Sequence, residues 1–323
     1  MKIVVTEPIH PEGIRILERA GEVVRPGSSD PETLRAVLQD ADAVVLRITR
    51  FPAEMVAAAP KLRVVGRHGV GVDNVDLEAC TRRGIPVVFT PEANAESVAE
   101  HVLGFMLALA KRIVPGDRAL RAGRFAARNK LFGIELAGKT IGIVGLGRIG
   151  RRVAQMCRAA LDMHVIGLDP AVSPEQAASL GIELAPDLRR LLSRADIVTI
   201  HVPLTPATRG LLGAEQLGWM KSGAYLINTA RGGVIDEQAL YDALADGRLA
   251  GAALDVFAEE PPLPDHPIFR LENVIVTPHM AAHTEEAMYR MATMVAEEIV
   301  TVLRGGRPRW CANPEVYATG TRE

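Results

Sequence analysis

Apolar residues in the first ninety positions gather in short β-branched runs, at Ile3-Val4-Val5, Ala43-Val44-Val45-Leu46, Leu62-Arg63-Val64-Val65 and Pro86-Val87-Val88-Phe89. Runs without polar alternation, separated by helical stretches, predict parallel strands buried on both faces. The helices carry start signals. Asp30-Pro31-Glu32 places an N-cap before a proline at the first helical position, and Asp76 opens a short helix ending near Gly84. A longer helical stretch covers 95–112, and 114–139 reads as irregular and rich in Arg, Gly and Ala. A second alternation begins at Thr140, with strands at Ile141-Gly142-Ile143-Val144, Val165-Ile166-Gly167-Leu168, Ile197-Val198-Thr199-Ile200, Ala224-Tyr225-Leu226-Ile227, Gly251-Ala252-Ala253-Leu254 and Val274-Ile275-Val276. Its helices are punctuated by Pro186 and by Asp236-Glu237-Gln238. A last helix starts near Thr284 and stops at Gly305-Gly306. Its apolar positions Met288, Met291, Val295, Ile299 and Val302 lie on a single face. The pattern predicts an α/β chain with two tandem sheet-and-helix units, the final helix returning to pack on the first.

Composition narrows the function classes. The chain's 323 residues suit about two domains. Lys and Arg total 37 against 39 Asp and Glu, a formal charge of −2, which excludes a broadly basic nucleic-acid binder. The greasiest stretch, 101–110, is too short to span a bilayer. The apolar start breaks at Glu7-Pro8, so no signal peptide is expected. Cys80, Cys157 and Cys311 are isolated thiols. They argue against a disulfide framework or a zinc site and fit a reducing cytoplasm.

The second unit opens with a candidate phosphate-binding turn. Gly145, Gly147 and Gly150 satisfy G-x-G-x-x-G between a strand and a helical pattern. The first glycine allows the tight turn, the second lets a pyrophosphate approach the backbone, and the third lets the helix pack on the strand. The helix starting there presents backbone N–H groups and a positive dipole end. Asp169 ends the next strand, where a carboxylate accepts from ribose hydroxyls and repels a 2′-phosphate. This favours NAD over NADP; the bland alternative is a surface aspartate opening the Asp169-Pro170 turn.

Three polar residues follow three later strands, at the carboxyl ends where open α/β sheets bind ligands. Arg231 follows Ala230, Glu260 precedes Pro261-Pro262, and His279 follows Thr277-Pro278. Singly they read as a loop cation, part of a solvated acidic loop and a turn histidine. Jointly, downstream of a dinucleotide turn, they suit oxidation of a 2-hydroxy acid. Arg231 would grip the carboxylate with its planar fork and polarise the carbonyl. His279 would exchange the hydroxyl proton, while Glu260 holds the imidazole and favours its protonated form. No metal is needed for this chemistry.

These blocks resemble the D-isomer-specific 2-hydroxyacid dehydrogenases. They are 145–150, Asn228-Thr229-Ala230-Arg231-Gly232-Gly233-Val234-Ile235-Asp236-Glu237, Leu254-Asp255-Val256-Phe257-Ala258-Glu259-Glu260-Pro261-Pro262 and Asn273-Val274-Ile275-Val276-Thr277-Pro278-His279. The stretch 66–76 and Ala137-Gly138-Lys139-Thr140 look closest to the catalytic core of phosphoglycerate dehydrogenases and hydroxypyruvate reductases. The resemblance implies two doubly wound parallel-sheet domains. A flavodoxin-like substrate domain would take 1–97 and 285–323, and a Rossmann-type NAD domain 98–284, with a dimerisation arm near 112–139. It implies the catalytic trio Arg231, Glu260 and His279. It puts Arg148 and Ile149 at the pyrophosphate, Thr229 and Ala230 along the cofactor, and Asp255 at the nicotinamide amide. It also implies substrate binding by the backbone of Val70 and Gly71, and by Arg47 when the third carbon carries an anion. Arg47 and Arg50 follow the second predicted strand, and a solvated basic loop is the alternative reading.

The chain departs from these relatives at His68, at a position often small in them, and at Met280-Ala281-Ala282-His283, where a Gly- and Ser-containing version is common. It ends at Glu323 without the relatives' C-terminal regulatory domain, so inhibition by serine is not expected. The expected function is NAD-dependent interconversion of a small D-2-hydroxy acid and its 2-oxo acid, of the 3-phosphoglycerate or hydroxypyruvate/glyoxylate class, by a cytoplasmic homodimer. The alternatives are a dinucleotide-sensing binding protein of the corepressor type and formate or phosphite oxidation on the same scaffold.

Overall fold

The computed structural model describes residues 1–28 and 30–318. The chain divides into two units. One comprises Met1–Asn94 and the segment from His283 onward, the other Ala95–Ala282. In the first, strands β1 (Lys2–Val5), β2 (Glu22–Val24), β3 (Ala43–Leu46), β4 (Val64–Arg67) and β5 (Val87–Val88) form a parallel sheet ordered β2-β1-β3-β4-β5, the flavodoxin-like order. Ile3, Val5, Ala43, Val45 and Val64 face the helix Glu285–Leu303 through its Val295 and Ile299. Val4, Val44, Leu46 and Val65 join Leu34, Leu38 and Ala79 in the opposite apolar layer. Burial on both faces is why these strands read as continuous apolar runs.

In the second unit, β6 (Thr140–Val144), β7 (His164–Leu168), β8 (Glu183–Leu184), β9 (Ile197–Ile200), β10 (Ala224–Asn228), β11 (Leu249–Leu254) and β12 (Val274–Val276) form a second parallel sheet. Their order is β12-β11-β10-β9-β6-β7-β8. Chain direction across the sheet reverses between β6 and β9, the switch point at which Rossmann folds bind dinucleotides. Ile141, Ile143, Tyr225 and Ile227 point into one apolar layer, and Val144, Val198, Ile200 and Leu226 into the other.

The cap signals act as read. Asp30 accepts from the N–H groups of Glu32 and Thr33, Asp76 from Ala79, and Thr284 from Ala287. Two readings need correction. The pattern omitted β2 and β8, so Arg47 follows the third strand in chain order, not the second. Both are edge strands of two or three residues, too short and too exposed to show a period. The stretch 114–139 is not irregular throughout. Ile113–Arg121 is helical and Phe125–Asn129 forms a 3-10 turn. Pro115 is accommodated because it falls in the first turn, where the N–H has no intrahelical acceptor.

Candidate active site

The glycine turn sits at the switch point. Gly145 follows β6 with φ +96°, in the left-handed region that favours glycine. A Cβ there would come 2.8 Å from the His201 backbone at the end of β9. One at Gly150 would come 2.1 Å from the Gly145 carbonyl oxygen. The protein's own packing therefore demands these two. Gly147 differs, since a Cβ there would meet nothing within 4 Å. It caps the helix Arg148–Leu161 without any side-chain hydrogen bond. An open approach to a helix N-terminus lacking a side-chain cap fits a phosphate. Arg148 and Ile149 are that helix's first two residues, exposed and half-buried.

Asp169 is half-buried just past β7. One carboxylate oxygen accepts from the Leu146 N–H at 2.8 Å and the other from Ala171 at 2.9 Å. The residue braces the glycine turn and still has acceptor positions for ribose hydroxyls. Thr229, after β10, buries a hydroxyl that finds no partner among the described residues. The neighbouring Ala230 N–H is held by Asn228 Oδ1 at 3.0 Å. An orphaned buried hydroxyl and an open glycine turn in one row of strand ends fit an extended dinucleotide.

The imidazole–carboxylate pair expected to move a proton lies farther along that row. His279 Nδ1 and Glu260 Oε2 are 2.7 Å apart, both about one-third exposed. Glu260 Oε1 accepts from the Phe257 N–H at 3.1 Å. Burial alone would push the Glu260 carboxyl up. The hydrogen bond and charge of His279, the Phe257 N–H and the Arg231 guanidinium outweigh it and hold the carboxyl below its usual range. Arg231 Nη1 donates to the Ala230 carbonyl at 2.7 Å, and the Asn228 amide donates to the Arg231 carbonyl at 2.9 Å. Gly232 ties the loops together: a Cβ on it would lie 1.9 Å from the Phe257 carbonyl carbon. The loop bearing Arg231 thus rests on the loop that leads to Glu260.

Asp255 does something the sequence did not disclose. It is fully buried after β11. Its Oδ1 accepts from the Met280 N–H at 2.8 Å and from the Thr277 hydroxyl, and its Oδ2 from the Ala281 N–H at 2.8 Å. Its carbonyl accepts from the His279 N–H at 2.8 Å. One aspartate therefore shapes the loop that presents the imidazole. His279 itself has φ +50°, a strained conformation for a non-glycine residue that surrounding bonds must impose.

The remaining expected substrate-binding residues belong to the first unit. Val70 and Gly71 are half-buried in the loop after β4. Arg47, after β3, is half-buried. Its Nη1 donates to the Pro8 carbonyl at 2.9 Å, and its Nη2 lies 3.0 Å from His283 Nε2. Glu7 was missed by sequence reasoning, although its signal was present: an acid at the carboxyl end of the first strand. Burial pushes the Cys80 and Cys157 thiols up to about 12 and also raises that of half-buried Cys311, which disfavours a thiolate at each. Among the described residues, no group of three or more His, Cys, Asp or Glu side chains is placed to hold a metal ion. Among them too, no helix is long and apolar enough to cross a membrane.

A model of the family described as D-isomer specific 2-hydroxyacid dehydrogenase, NAD binding domain, matches residues 103–281. The chain is 49% identical over 306 residues to a D-3-phosphoglycerate dehydrogenase of Methanocaldococcus jannaschii, covering 94% of this chain and 58% of that protein. It is 46% identical over 307 residues to the protein of the same name from Archaeoglobus fulgidus, again covering 94% and 58%. It therefore spans somewhat over half the length of these curated relatives. Among solved structures, the TT0316 protein of Thermus thermophilus superposes with a TM-score of 0.89 at 38% identity, covering 97% of this chain and all of that one.

Proposed function

This chain belongs to the D-isomer specific 2-hydroxyacid dehydrogenase family and carries its NAD-binding domain, and from that premise we propose that it interconverts a small D-2-hydroxy acid and its 2-oxo acid. The substrate class is that of 3-phosphoglycerate or of hydroxypyruvate and glyoxylate. The observation that carries the reading is the 2.7 Å contact between His279 Nδ1 and Glu260 Oε2, on a carboxylate that also feels the charge of Arg231.

That contact assigns the imidazole's protons. An ionised carboxylate can only accept, so Nδ1 carries a hydrogen and Nε2 is the nitrogen that gains or loses one. His279 Nε2 takes the hydroxyl proton in oxidation and returns it to the carbonyl oxygen in reduction. Arg231 binds the carboxylate and draws electron density from the carbonyl. Asp255 keeps the imidazole in register through the Thr277–Ala281 loop and, in this reading, also meets the nicotinamide amide. Gly145, Gly147, Arg148, Ile149 and Gly150 hold the pyrophosphate, Asp169 the ribose, and Thr229 and Ala230 line the cofactor's path. NAD supplies the hydride acceptor, and NADH the donor, at the second carbon of the substrate.

The reading includes a homodimer. Ile113, Leu120, Phe125 and Phe132 are exposed apolar side chains of one segment, and Phe132 is 82% exposed. Single exposed apolar residues need no explanation, but four in one segment point to a covered surface, and a second copy is the partner proposed. No observation favours the corepressor-type alternative. The deciding experiment follows NADH and NADPH oxidation with hydroxypyruvate, glyoxylate, 3-phosphohydroxypyruvate, sulfopyruvate and pyruvate. NADH-dependent turnover of at least one 2-oxo acid, faster than with NADPH, is expected. Inactivity toward all five would end the reading.

A further inference from the structure

The loop that carries His279 is fastened by a second element besides Asp255. That element is the helix Ala95–Ala110, which belongs to the same unit as the loop. Its inward side chains are mostly apolar. Val98, Val102, Met106 and Leu109 are buried, and Phe105, Met106 and Leu109 share an apolar layer with Ile141, Tyr225 and Ala253 of the sheet. Ser97 and His101 interrupt this pattern. Four positions apart, they lie one above the other on one helix face. The Ser97 hydroxyl, 4% exposed, donates to the Ala281 carbonyl at 2.7 Å. His101 Nε2 lies 3.3 Å from Thr277 Oγ1. One turn of helix thus grips the loop two residues before His279 and two residues after it.

The hydrogens along these contacts have one consistent assignment. The single hydrogen of the Thr277 hydroxyl goes to Asp255 Oδ1. Only lone pairs of Oγ1 are left for His101, so the imidazole Nε2 carries a hydrogen and donates it. Burial lowers the His101 pKa by more than the charge of Asp255 raises it, which keeps the ring neutral with no hydrogen on Nδ1. Phe105, one turn further on, meets the ring edge-on with centroids 4.4 Å apart at 73°, and so restricts its rotation. Donation therefore runs from His101 to Thr277 and from Thr277 to Asp255, which also accepts from the Met280 and Ala281 N–H groups. A hydroxyl that gives and receives at once is polarised by both bonds. Serine and histidine form helix less readily than alanine or leucine and bury less apolar surface. Packing alone does not account for them here.

We propose that His101 and Ser97 are positioning residues for proton exchange at His279, pinning Thr277 and Ala281 so that the imidazole keeps its aim at the reacting oxygen. The inference rests on the 2-hydroxy acid reading above and adds to it two residues outside the catalytic trio. Each acts through the loop, not on the reacting atoms. Loops are ordinarily mobile, and displacing a reacting group by about 1 Å costs on the order of 100-fold in rate. A helix packed on the sheet gives the loop a fixed base. Pins on both sides of His279 also help impose its φ of +50°, which an unsupported histidine would abandon.

The test compares the parent with His101→Leu, His101→Gln and Ser97→Ala in reduction of the best substrate among the five 2-oxo acids named above. NADH and NADH dideuterated at C4 are both used, and cofactor affinity is read by fluorescence titration. His101→Leu should lower kcat at least about tenfold with NADH affinity held. The deuterium effect on kcat should grow, because a misplaced proton donor slows the chemical step and not product release. Glutamine carries an amide N–H near the place of imidazole Nε2, so His101→Gln should keep kcat within about threefold of the parent, which a side chain needed only to fill space would not do. Ser97→Ala should lower kcat about two- to tenfold, the size of one hydrogen bond. It removes a single hydroxyl from a helix and is expected to fold, so it tests the proposal even if His101→Leu does not fold. His101→Leu within twofold of the parent, or leucine and glutamine equally impaired, would overturn the role of His101. An unchanged kcat in Ser97→Ala would overturn that of Ser97. A parent that reduces none of the five fails the enzyme reading instead. Hydrogen exchange at the Met280 and Ala281 amides then decides the pinning alone: faster exchange in His101→Leu and Ser97→Ala supports it, and unchanged protection would overturn it.

Discussion

At the residue scale, the His279–Glu260 pair is better explained by orientation than by stability. An ion pair this exposed contributes about 0–1 kcal/mol to folding. A misplaced proton-transfer group costs on the order of 100-fold or more in rate, about 2.7 kcal/mol of barrier. His279→Ala and Arg231→Ala should each lower kcat/KM at least about 100-fold while NADH fluorescence titrations show cofactor binding retained. Activity within a few fold of the parent in either variant would remove these residues from their roles. Glu260 also has a pH signature. Its carboxyl lies lower in the folded protein than its ordinary value. The stabilisation from its ionised form is therefore complete above the ordinary carboxylate range and drains away as pH falls through the lowered value. Chemical denaturation of the parent and Glu260→Gln should show a constant stability difference from neutrality down to about pH 5, narrowing at lower pH. A difference that instead widened on acidification would mean the sign is wrong.

At the element scale, the proposed catalytic groups depend on what lies under their loops. The strands β10 and β11 were readable because buried parallel strands leave apolar runs, and the edge strand β12 because its three residues are β-branched. That Arg231, Glu260 and His279 follow strand runs was equally readable. What held their loops was not. Asp255 reads in sequence as one more acid after a strand, yet it gathers three hydrogen bonds from residues 22 to 26 positions later. Gly232 reads as a flexible glycine pair with Gly233, yet it marks where two loops touch. Gly232→Ala should therefore act as an overpacking change, lowering stability by about 1–3 kcal/mol and reducing kcat more than cofactor affinity. Unchanged melting and unchanged turnover would show that the loops yield without cost. The final helix makes the same point more mildly. Met291, Val295 and Ile299 are buried as their spacing implied, whereas Met288 and Val302 are only half-buried. Ala292, Ala296 and Leu303 widen the stripe, because a helix pressed on a sheet buries more than one ridge.

At the scale of the whole molecule, the first unit is discontinuous in sequence, with the helix Glu285–Leu303 completing the apolar layer over β1, β3 and β4. The segment around Ile113–Arg121 carries apolar side chains to the surface of the second unit. If a second copy covers them, Phe132→Asp combined with Leu120→Asp should convert a dimer to a monomer in light scattering without lowering the helical signal. A parent that is already monomeric would dispose of the dimer. The amino-acid order by itself determined ten of the strands of the two sheets, the glycine turn between strand and helix, the N-caps and the polar residue types at successive strand ends, because each is written in local period, local turn chemistry or short spacing. Only the tertiary structure decided that Glu260 reaches His279, that Asp255 braces the loop that carries His279, and that Glu7, Arg47 and His283 meet from positions up to 276 residues apart. Such contacts arise when separate strand ends are brought level by sheet register, and no local pattern in a chain records which distant side chain will be opposite.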